Sequence, residues 1–441
     1  MNPAVSSMRA IVEHNVRRFR ASTLARNTVW MFAGQGTGLI IQAGYFVVMA
    51  RALGVKEYGA FVAVAALISL VAPMATLGFG NVLIKHVARD RRRFAECWGN
   101  ALVVSAVSGA ALVALILTCG RLILGNTVPL QLITAVALGD LFFASPLQLA
   151  IQAYQALEKL ERTAQLQTVF NLSRLFGALL LVALPGRATA ILWSEIYLAA
   201  TALTSAMAAI MVHSSTGRPR FCRALIAAEW KEGIYFGLST CARNTYNDID
   251  KTMLARLAAL RVAGVYGAAY RVIDVSFVPL RALALAAYPN FFRSGQYGLE
   301  STYSYAKRLL SKALIYAAVI ALGTFACAGL VPRVLGADYR GAIEVIRWLS
   351  LMPVIKTVQY FLSDSLSGAG YQGRRTGIQI AVAFLNIAAN LYAIPRWSWR
   401  GAIATSLLCD GLFALSVWLV IKSMLWRAAK LPAQPAEAAC S

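Results

Sequence analysis

The sequence predicts an all-α polytopic membrane protein of about twelve transmembrane helices, and three observations predict it. Its 441 residues are 59% hydrophobic and only 14% charged, whereas soluble chains carry about 25% charged residues. Apolar runs of about 20 residues, the length that crosses a bilayer, recur through the whole chain. The segments between them alternate between rich and poor in Lys and Arg, as cytoplasmic and outer loops do. No polar stretch is long enough to fold as a soluble domain. The net charge of +23 falls in short inter-helix segments facing anionic lipid, not on the basic face of a nucleic-acid-binding module.

Residues 1–26 form the first element, a basic amphipathic arm. Ile11, Val12, Val16 and Phe19 alternate there with Arg9, Arg17, Arg18, Arg20 and Arg26, a pattern that lies on an anionic leaflet. The run from Val29 to Ala50 exceeds a signal-peptide core of about 7 to 15 residues, so it stays as the first span. The predicted spans are 27–50, 58–84, 99–124, 128–155, 164–184, 188–212, 231–256, 263–290, 307–331, 342–368, 375–395 and 400–426, with the seventh and eighth the least hydrophobic. They group into an N-lobe over 27–212, a cytoplasmic linker over 213–230 and a C-lobe over 231–426. The Pro- and Ala-rich tail, 427–441, is predicted to be disordered.

The loops test this count independently. One side receives the arm, Lys85 with Arg89 and Arg91 to Arg93, Lys159 with Arg162, Arg218 to Lys231, Arg293 with Lys307 and Arg308, Arg374 with Arg375, and Lys422 to Lys430. The other receives only Arg51 and Lys56, then Arg121, Arg187, Arg261, Arg333 with Arg340, and Arg396 with Arg400. An even number of spans with both ends on the basic side places both termini in the cytoplasm. Every outer loop is short, so the large periplasmic domain of a glycan polymerase or ligase is not visible.

An internal echo supports two halves. ARALGVKEYGAFVAV from Ala50 and ARLAALRVAGVYGAAYRV from Ala255 both join an Ala-Arg helix end to a Tyr-Gly-Ala helix start, followed by Pro73 or Pro279. Six-helix halves that start on the same side form the parallel type of transporter repeat. Mid-helix prolines, Pro146, Pro289 and Pro353 among them, remove backbone hydrogen bonds and are expected to let helices bend.

Ionisable side chains inside spans cost about 2.5 to 3.5 kcal/mol each on insertion scales, so they face a cavity or a partner. Asp140, Arg174 and Glu195 lie in the first half; Arg243, Asp248, Asp250, Lys251, Arg271, Asp274, Arg281, Lys356, Asp364 and Asp410 lie in the second. Arg243, Asn247 and Asp250 share one face of the seventh helix, and Arg271, Asp274 and Arg281 repeat at three and seven in the eighth. Two readings stand. Asp250 pairs with a neighbouring cation and locks the bundle, or uncompensated Arg243, Arg271 and Arg281 hold a diphosphate, which guanidinium forks suit. The DxD pattern of Asp248 and Asp250 sits in a helix rather than a sugar-transferase loop. Gly34, Gly36 and Gly38 lack the Lys-Ser/Thr of a phosphate loop. The seven cysteines have no partner spacing, and His14, His86 and His213 are too scattered for a metal or catalytic set. No cofactor, metal or enzymatic chemistry is therefore expected.

MARALGVKEYGAFVAVAALISLVAPMATLGFGNVLIKHVAR and NDIDKTMLARLAALRVAGVYGAAYRV resemble the first two and the seventh and eighth helices of the polysaccharide-biosynthesis flippases. That family lies within the multidrug, oligosaccharidyl-lipid and polysaccharide exporter superfamily. Asp250 and Lys251 match its Asp-basic pair, and Tyr266, Gly267, Ala269 and Tyr270 match the hairpin that follows. The resemblance implies two six-helix lobes around a central cationic cavity. It also implies alternating access, and a bacterial inner-membrane flippase for an O-antigen or exopolysaccharide unit on a polyprenyl diphosphate. Membrane lipids are the implied partners, with a polysaccharide polymerase and chain-length machinery downstream. The diphosphate would meet Arg243, Arg271, Arg281, Arg174, Lys356 and Lys251. No motif assigns a coupling ion; Asp140, Asp250, Asp274 and Asp364 are the carboxylates on which coupling would fall. The alternatives are a cation-coupled drug exporter, which favours an acidic or apolar pocket, and a membrane glycan polymerase or ligase.

Overall fold

In the computed structural model the described residues run from 23 to 430, and they form helices with short 3₁₀ and π segments and no strand. The arm before residue 23 and the tail from residue 431 lie outside the described residues. Among the described residues seven helical stretches are long and apolar enough to cross a membrane. Two of them are folded in the middle. Helix α1 (Thr23–Val71) turns at Gly54, whose φ of 65° is one that glycine adopts without steric cost. The last helix, Gln372–Lys430, turns at Ser398 with φ 51°, three residues after Pro395. Five unbroken and two folded stretches give nine passes. The three less apolar helical stretches, which carry most of the intramembrane charge, bring the count to the expected twelve.

After α1 come α2 (Phe79–Arg89), α3 (Phe94–Leu124), α4 (Leu130–Ala137), a π segment at Leu138–Phe143, α5 (Ala144–Ala156), α6 (Leu160–Ala183) and α7 (Ala190–Thr216). Helix α8 (Arg223–Leu257) follows, then α9 (Leu260–Ser276), α10 (Val278–Gly295), α11 (Leu299–Cys327), the short α12 (Val331–Leu335), α13 (Ala342–Leu349), α14 (Met352–Gly368) and α15 (Gln372–Lys430). The chain divides into two compact units, Met1–Cys241 and Ala242–Ser441. The division falls inside α8.

The prolines correct one expectation. Pro73, Pro279 and Pro353 do not bend continuous helices; each stands in the first turn of a new one, where its missing N–H has no intrahelical partner to lose. The predicted span 58–84 is consequently interrupted by a 3₁₀ turn at Ala72–Thr76 and by left-handed Leu77 and Gly78.

In the first unit, Phe79, Leu83, Trp98, Leu147, Ala150 and Tyr154 pack in one buried cluster drawn from α2, α3 and α5. The chain between α7 and α8 is fastened to this unit. Asn100 brackets Cys222, its Nδ2 donating to the carbonyl and its Oδ1 accepting from the amide, both at 2.9 Å. The Arg220 amide donates to Ala95 O at 2.8 Å, and a Cβ at Gly99 would collide with the Arg220 backbone. Glu229, near the start of α8, meets His86 Nε2 at 2.9 Å and Lys85 Nζ at 3.3 Å.

The hydrogen bond from His86, and then that from Lys85, hold the Glu229 carboxyl below the usual glutamate range. A depressed carboxyl pKa contributes stability that is fully present above the ordinary value of about 4.3 and is lost as pH falls through the lowered one. Amide exchange over residues 217–230 is therefore expected to speed up beyond its intrinsic pH dependence in that acid window. Glu229→Gln is expected to exchange faster already at neutral pH. Equal protection in wild type and variant would remove Glu229 from the fastening.

In the second unit α14 packs against α10, α11 and α15. Ala306, Ala313 and Ala317 of α11 are fully buried, small residues that let helices approach closely where lipid supplies no hydrophobic drive. Helices α10 and α14 touch backbone to backbone: a Cβ at Gly368 would stand 2.6 Å from Phe291 O, and one at Gly295 would strike Gly368 O. This tight cross fixes the helix that lines the candidate site.

Candidate functional site

Two adjoining hollows of the second unit gather polar side chains. A cavity of about 640 Å³ is lined by Asn247 and Asp248 of α8, Tyr270 and Asp274 of α9, Arg281 of α10, and Met352, Pro353, Lys356 and Tyr360 of α14. A cleft of about 410 Å³ shares Asn247, Lys356 and Tyr360 with it and adds Arg243, Tyr246, Gln359, Ser363, Arg375, Gln379 and Phe413.

Helical spacing builds the cleft. Helix α8 contributes Arg243, Tyr246 and Asn247; α14 contributes Lys356, Gln359, Tyr360 and Ser363; the first turns of α15 contribute Arg375 and Gln379. Each set runs at intervals of three and four, so each shares one helix face.

The charges of the two hollows differ. Lys251 is buried behind the cavity wall and is spoken for: its Nζ donates to Asp248 Oδ1 at 2.5 Å and to Asn247 O at 3.1 Å, and it lies 3.9 Å from the centre of the Tyr270 ring. Asp274 faces Arg281 at 4.0 Å. In the cleft no carboxylate lines the wall among the described residues. Arg243 is exposed and has no acidic partner among the described residues. Lys356 Nζ donates to neutral groups, Tyr270 Oη at 3.1 Å and Asn247 Oδ1 at 3.4 Å. Arg375 is partly offset, its Nη1 donating to Ser367 Oγ at 2.9 Å and to Asp364 Oδ1 at 3.4 Å. Two cations thus reach the cleft with no acidic partner.

Besides Lys251, five expected site residues stand elsewhere. Asp250 shares its helix face with Arg243 and Asn247, but α9 covers it. Tyr266 Oη donates to Asp250 Oδ2 at 2.5 Å, Ser406 Oγ donates to the same oxygen at 3.3 Å, and the Lys251 amide donates to Oδ1 at 2.8 Å. Arg271 lines neither hollow, although Tyr270, Asp274 and Arg281, near it along the chain, line the cavity. Asp364 is buried behind Arg375. Arg174 lies in the first unit, where Nη2 donates to Asp140 Oδ1 at 3.4 Å and contacts the Tyr197 hydroxyl, which itself donates to Asp140. Phe170 and Tyr197 flank its guanidinium at 4.1 and 4.6 Å. Asp140 belongs to the π segment. Tyr246, on the cleft wall, is bonded through its hydroxyl to the buried Asp410.

The reading of the sequence missed Gln359, Ser363, Arg375 and Gln379. Arg375 counts there only as a basic loop residue, and in the structure it is one turn inside α15. The signal was present as a polar stripe, Lys356, Gln359 and Ser363, at intervals of three and four.

A family model described as polysaccharide biosynthesis protein matches residues 24–294. A curated relative, the probable low-salt glycan biosynthesis flippase Agl15 of Haloferax volcanii, is 21% identical over 393 residues, which cover 87% of this chain and 80% of the relative. Two solved structures share the fold. An inward-facing multidrug resistance MATE family transporter of the MOP superfamily superposes with a TM-score of 0.77 at 12% identity, over 90% of this chain and 96% of its own. The lipid II flippase MurJ, in an inward closed conformation, gives 0.73 at 11% identity, over 90% and 87%.

Proposed function

The chain belongs to the polysaccharide biosynthesis protein family, and from that premise we propose that it is a glycan flippase of the MOP superfamily. Its cargo is a polyprenyl-diphosphate-linked oligosaccharide, an O-antigen or exopolysaccharide unit, carried from the cytoplasmic to the periplasmic leaflet by alternating access. The observation that carries this reading is the cleft in which, among the described residues, no carboxylate lines the wall and Arg243 and Lys356 have no acidic partner. A diphosphate diester bears two negative charges, which two uncompensated cations match, and charge-assisted hydrogen bonds to phosphate oxygens are the strong ones. Arg281 and Arg375, each shared with a carboxylate, add to the field. The chain makes and breaks no covalent bond in this scheme. Loop charge supports an inner-membrane protein with both termini cytoplasmic, which delivers its unit to a polymerase and chain-length machinery on the far side.

A drug exporter would hold organic cations at acidic groups. Here Asp248 and Asp274 are already engaged by Lys251 and Arg281. In proteoliposomes, a fluorescent polyprenyl diphosphate N-acetylglucosamine is expected to move between leaflets, read by protection from an impermeant quencher, while ethidium is not transported. Ethidium efflux without lipid movement would overturn the proposal in favour of the exporter.

A further inference from the structure

The chain between α7 and α8 is held more firmly than a connection needs. Asn100 brackets the Cys222 backbone, the Arg220 amide is bonded to Ala95, and Gly99 leaves no room for a Cβ beside the Arg220 backbone. Interhelical loops are ordinarily the loosely tied parts of a fold. What this fastening sets in place is a group of side chains that face outward. Arg218, Arg220 and Arg223 are all exposed and have no acidic partner among the described residues. Ala95 stands two residues beyond the Arg91–Arg93 turn, so the anchored linker runs beside that turn. There Arg91 faces Glu158 at 3.6 Å and Arg93 meets His86 Nδ1 at 3.3 Å, whereas exposed Arg92 has no acidic partner among the described residues. Like charges gathered in one place repel each other, and a bound anion relieves the repulsion.

Two large apolar side chains stand uncovered among these cations: Phe221 is 60% exposed and Trp230 is 47% exposed. Trp230 follows Arg223 by seven residues, on the same face of α8. Dissolved phosphate would use the guanidinium forks and leave both rings in water. A phospholipid uses both, its phosphate on the forks and its glycerol and upper acyl carbons on the rings. The depth fits as well. Helix α7 has 27 residues, about 40 Å at about 1.5 Å each, which matches a bilayer with its headgroups, about 40 to 45 Å. Its end at Thr216 therefore delivers the linker to headgroup level. We propose that the α7–α8 linker is a specific site for one anionic phospholipid, with Arg92, Arg218, Arg220 and Arg223 on the headgroup and Phe221 and Trp230 against its apolar part. The bound lipid anchors the linker to its leaflet, and the stability of the first unit follows the supply of anionic lipid by mass action.

The test is native mass spectrometry of the full chain in detergent, titrated with phosphatidylglycerol or phosphatidylcholine of the same acyl chains, with a thermal melt on the same samples. Wild type is expected to bind phosphatidylglycerol about a hundredfold more tightly, about fivefold for each of three arginines, and to melt higher as that lipid is added. Arg218→Gln with Arg220→Gln and Arg223→Gln is expected to erase the preference. Without added lipid this variant is expected to melt with wild type, because backbone groups fasten the linker; an earlier melt would give the arginines a packing role and overturn the site. Phe221→Ala, which removes no charge, is expected to weaken phosphatidylglycerol about fivefold. Removing equal charge from another exposed basic stretch, Arg293→Gln with Lys307→Gln and Arg308→Gln, is expected to leave the preference intact; an equal loss there would reduce the effect to net charge and overturn the site. Equal binding of both lipids by wild type would also overturn it. So would glycerol phosphate raising the melting temperature as far as phosphatidylglycerol does, which would assign the arginines to a soluble phosphate, or hexaglutamate doing so, which would assign them to an acidic protein segment.

Discussion

Replacing Arg243 and Lys356 together by alanine is expected to weaken binding of undecaprenyl diphosphate by about a hundredfold to ten-thousandfold. Hydrogen bonds to charged groups contribute about 1.5 to 3 kcal/mol each, so two of them span about 3 to 6 kcal/mol. Each single variant carries about half of that free energy. The fold is expected to tolerate the change. Arg243 is exposed, and removing Lys356 frees only Tyr270 Oη and Asn247 Oδ1 beside a cavity that water can enter. Lys356→Arg is expected to keep most of the affinity because it keeps the charge; Arg243→Lys is expected to lose more, since an ammonium has no fork. Titration in nanodiscs checks the affinities, and a thermal melt on the same samples checks the fold. Unchanged affinity in the double variant would place the phosphate site elsewhere.

The second large effect concerns Arg174. Taken alone, its intramembrane position marks it as a phosphate ligand, but the structure ties it to Asp140 and Tyr197. Arg174→Ala leaves the half-buried Asp140 carboxylate without its counter-charge, and the loss is expected to be a part of the about 3 to 5 kcal/mol that breaking a fully buried pair costs. The variant is expected to melt early and to accumulate poorly. Replacing both partners by neutral isosteres, Asp140→Asn with Arg174→Gln, is expected to restore the melting temperature and lipid movement together. If Arg174 instead held the phosphate, the single variant would melt normally and the double variant would stay inactive.

The architecture was legible because lipid imposes it. Spans of about 20 residues and alternating loop charge are requirements of the bilayer and stand in the sequence directly. The break near Gly54 and the fold-back near Ser398 fall where the gaps between predicted spans lie. The site was legible only in part. Periodicity says which residues share a face of one helix, not which neighbouring helix covers that face. That is why Asp250, one face with Arg243, ends under Tyr266 and Ser406. It is also why Lys251, read as a ligand, is consumed by Asp248. Arg271 shares its spacing with Asp274 and Arg281, yet only those two line the cavity. Attention to formal charge hid the neutral groups. Gln359, Ser363 and Gln379 cost less in a membrane than a charge does, so they drew no notice until the structure set them on one wall with Lys356.

The account stands on one claim, that the cleft between α8, α14 and the start of α15 holds the diphosphate end of a lipid-linked glycan. A cryo-electron microscopy map of the full chain saturated with undecaprenyl diphosphate N-acetylglucosamine tests it most directly. Phosphate density is expected within hydrogen-bond reach, about 2.7 to 3.2 Å, of Arg243 and Lys356. Phosphate density at Arg174, or at any site that leaves Arg243 and Lys356 without contact, would contradict it.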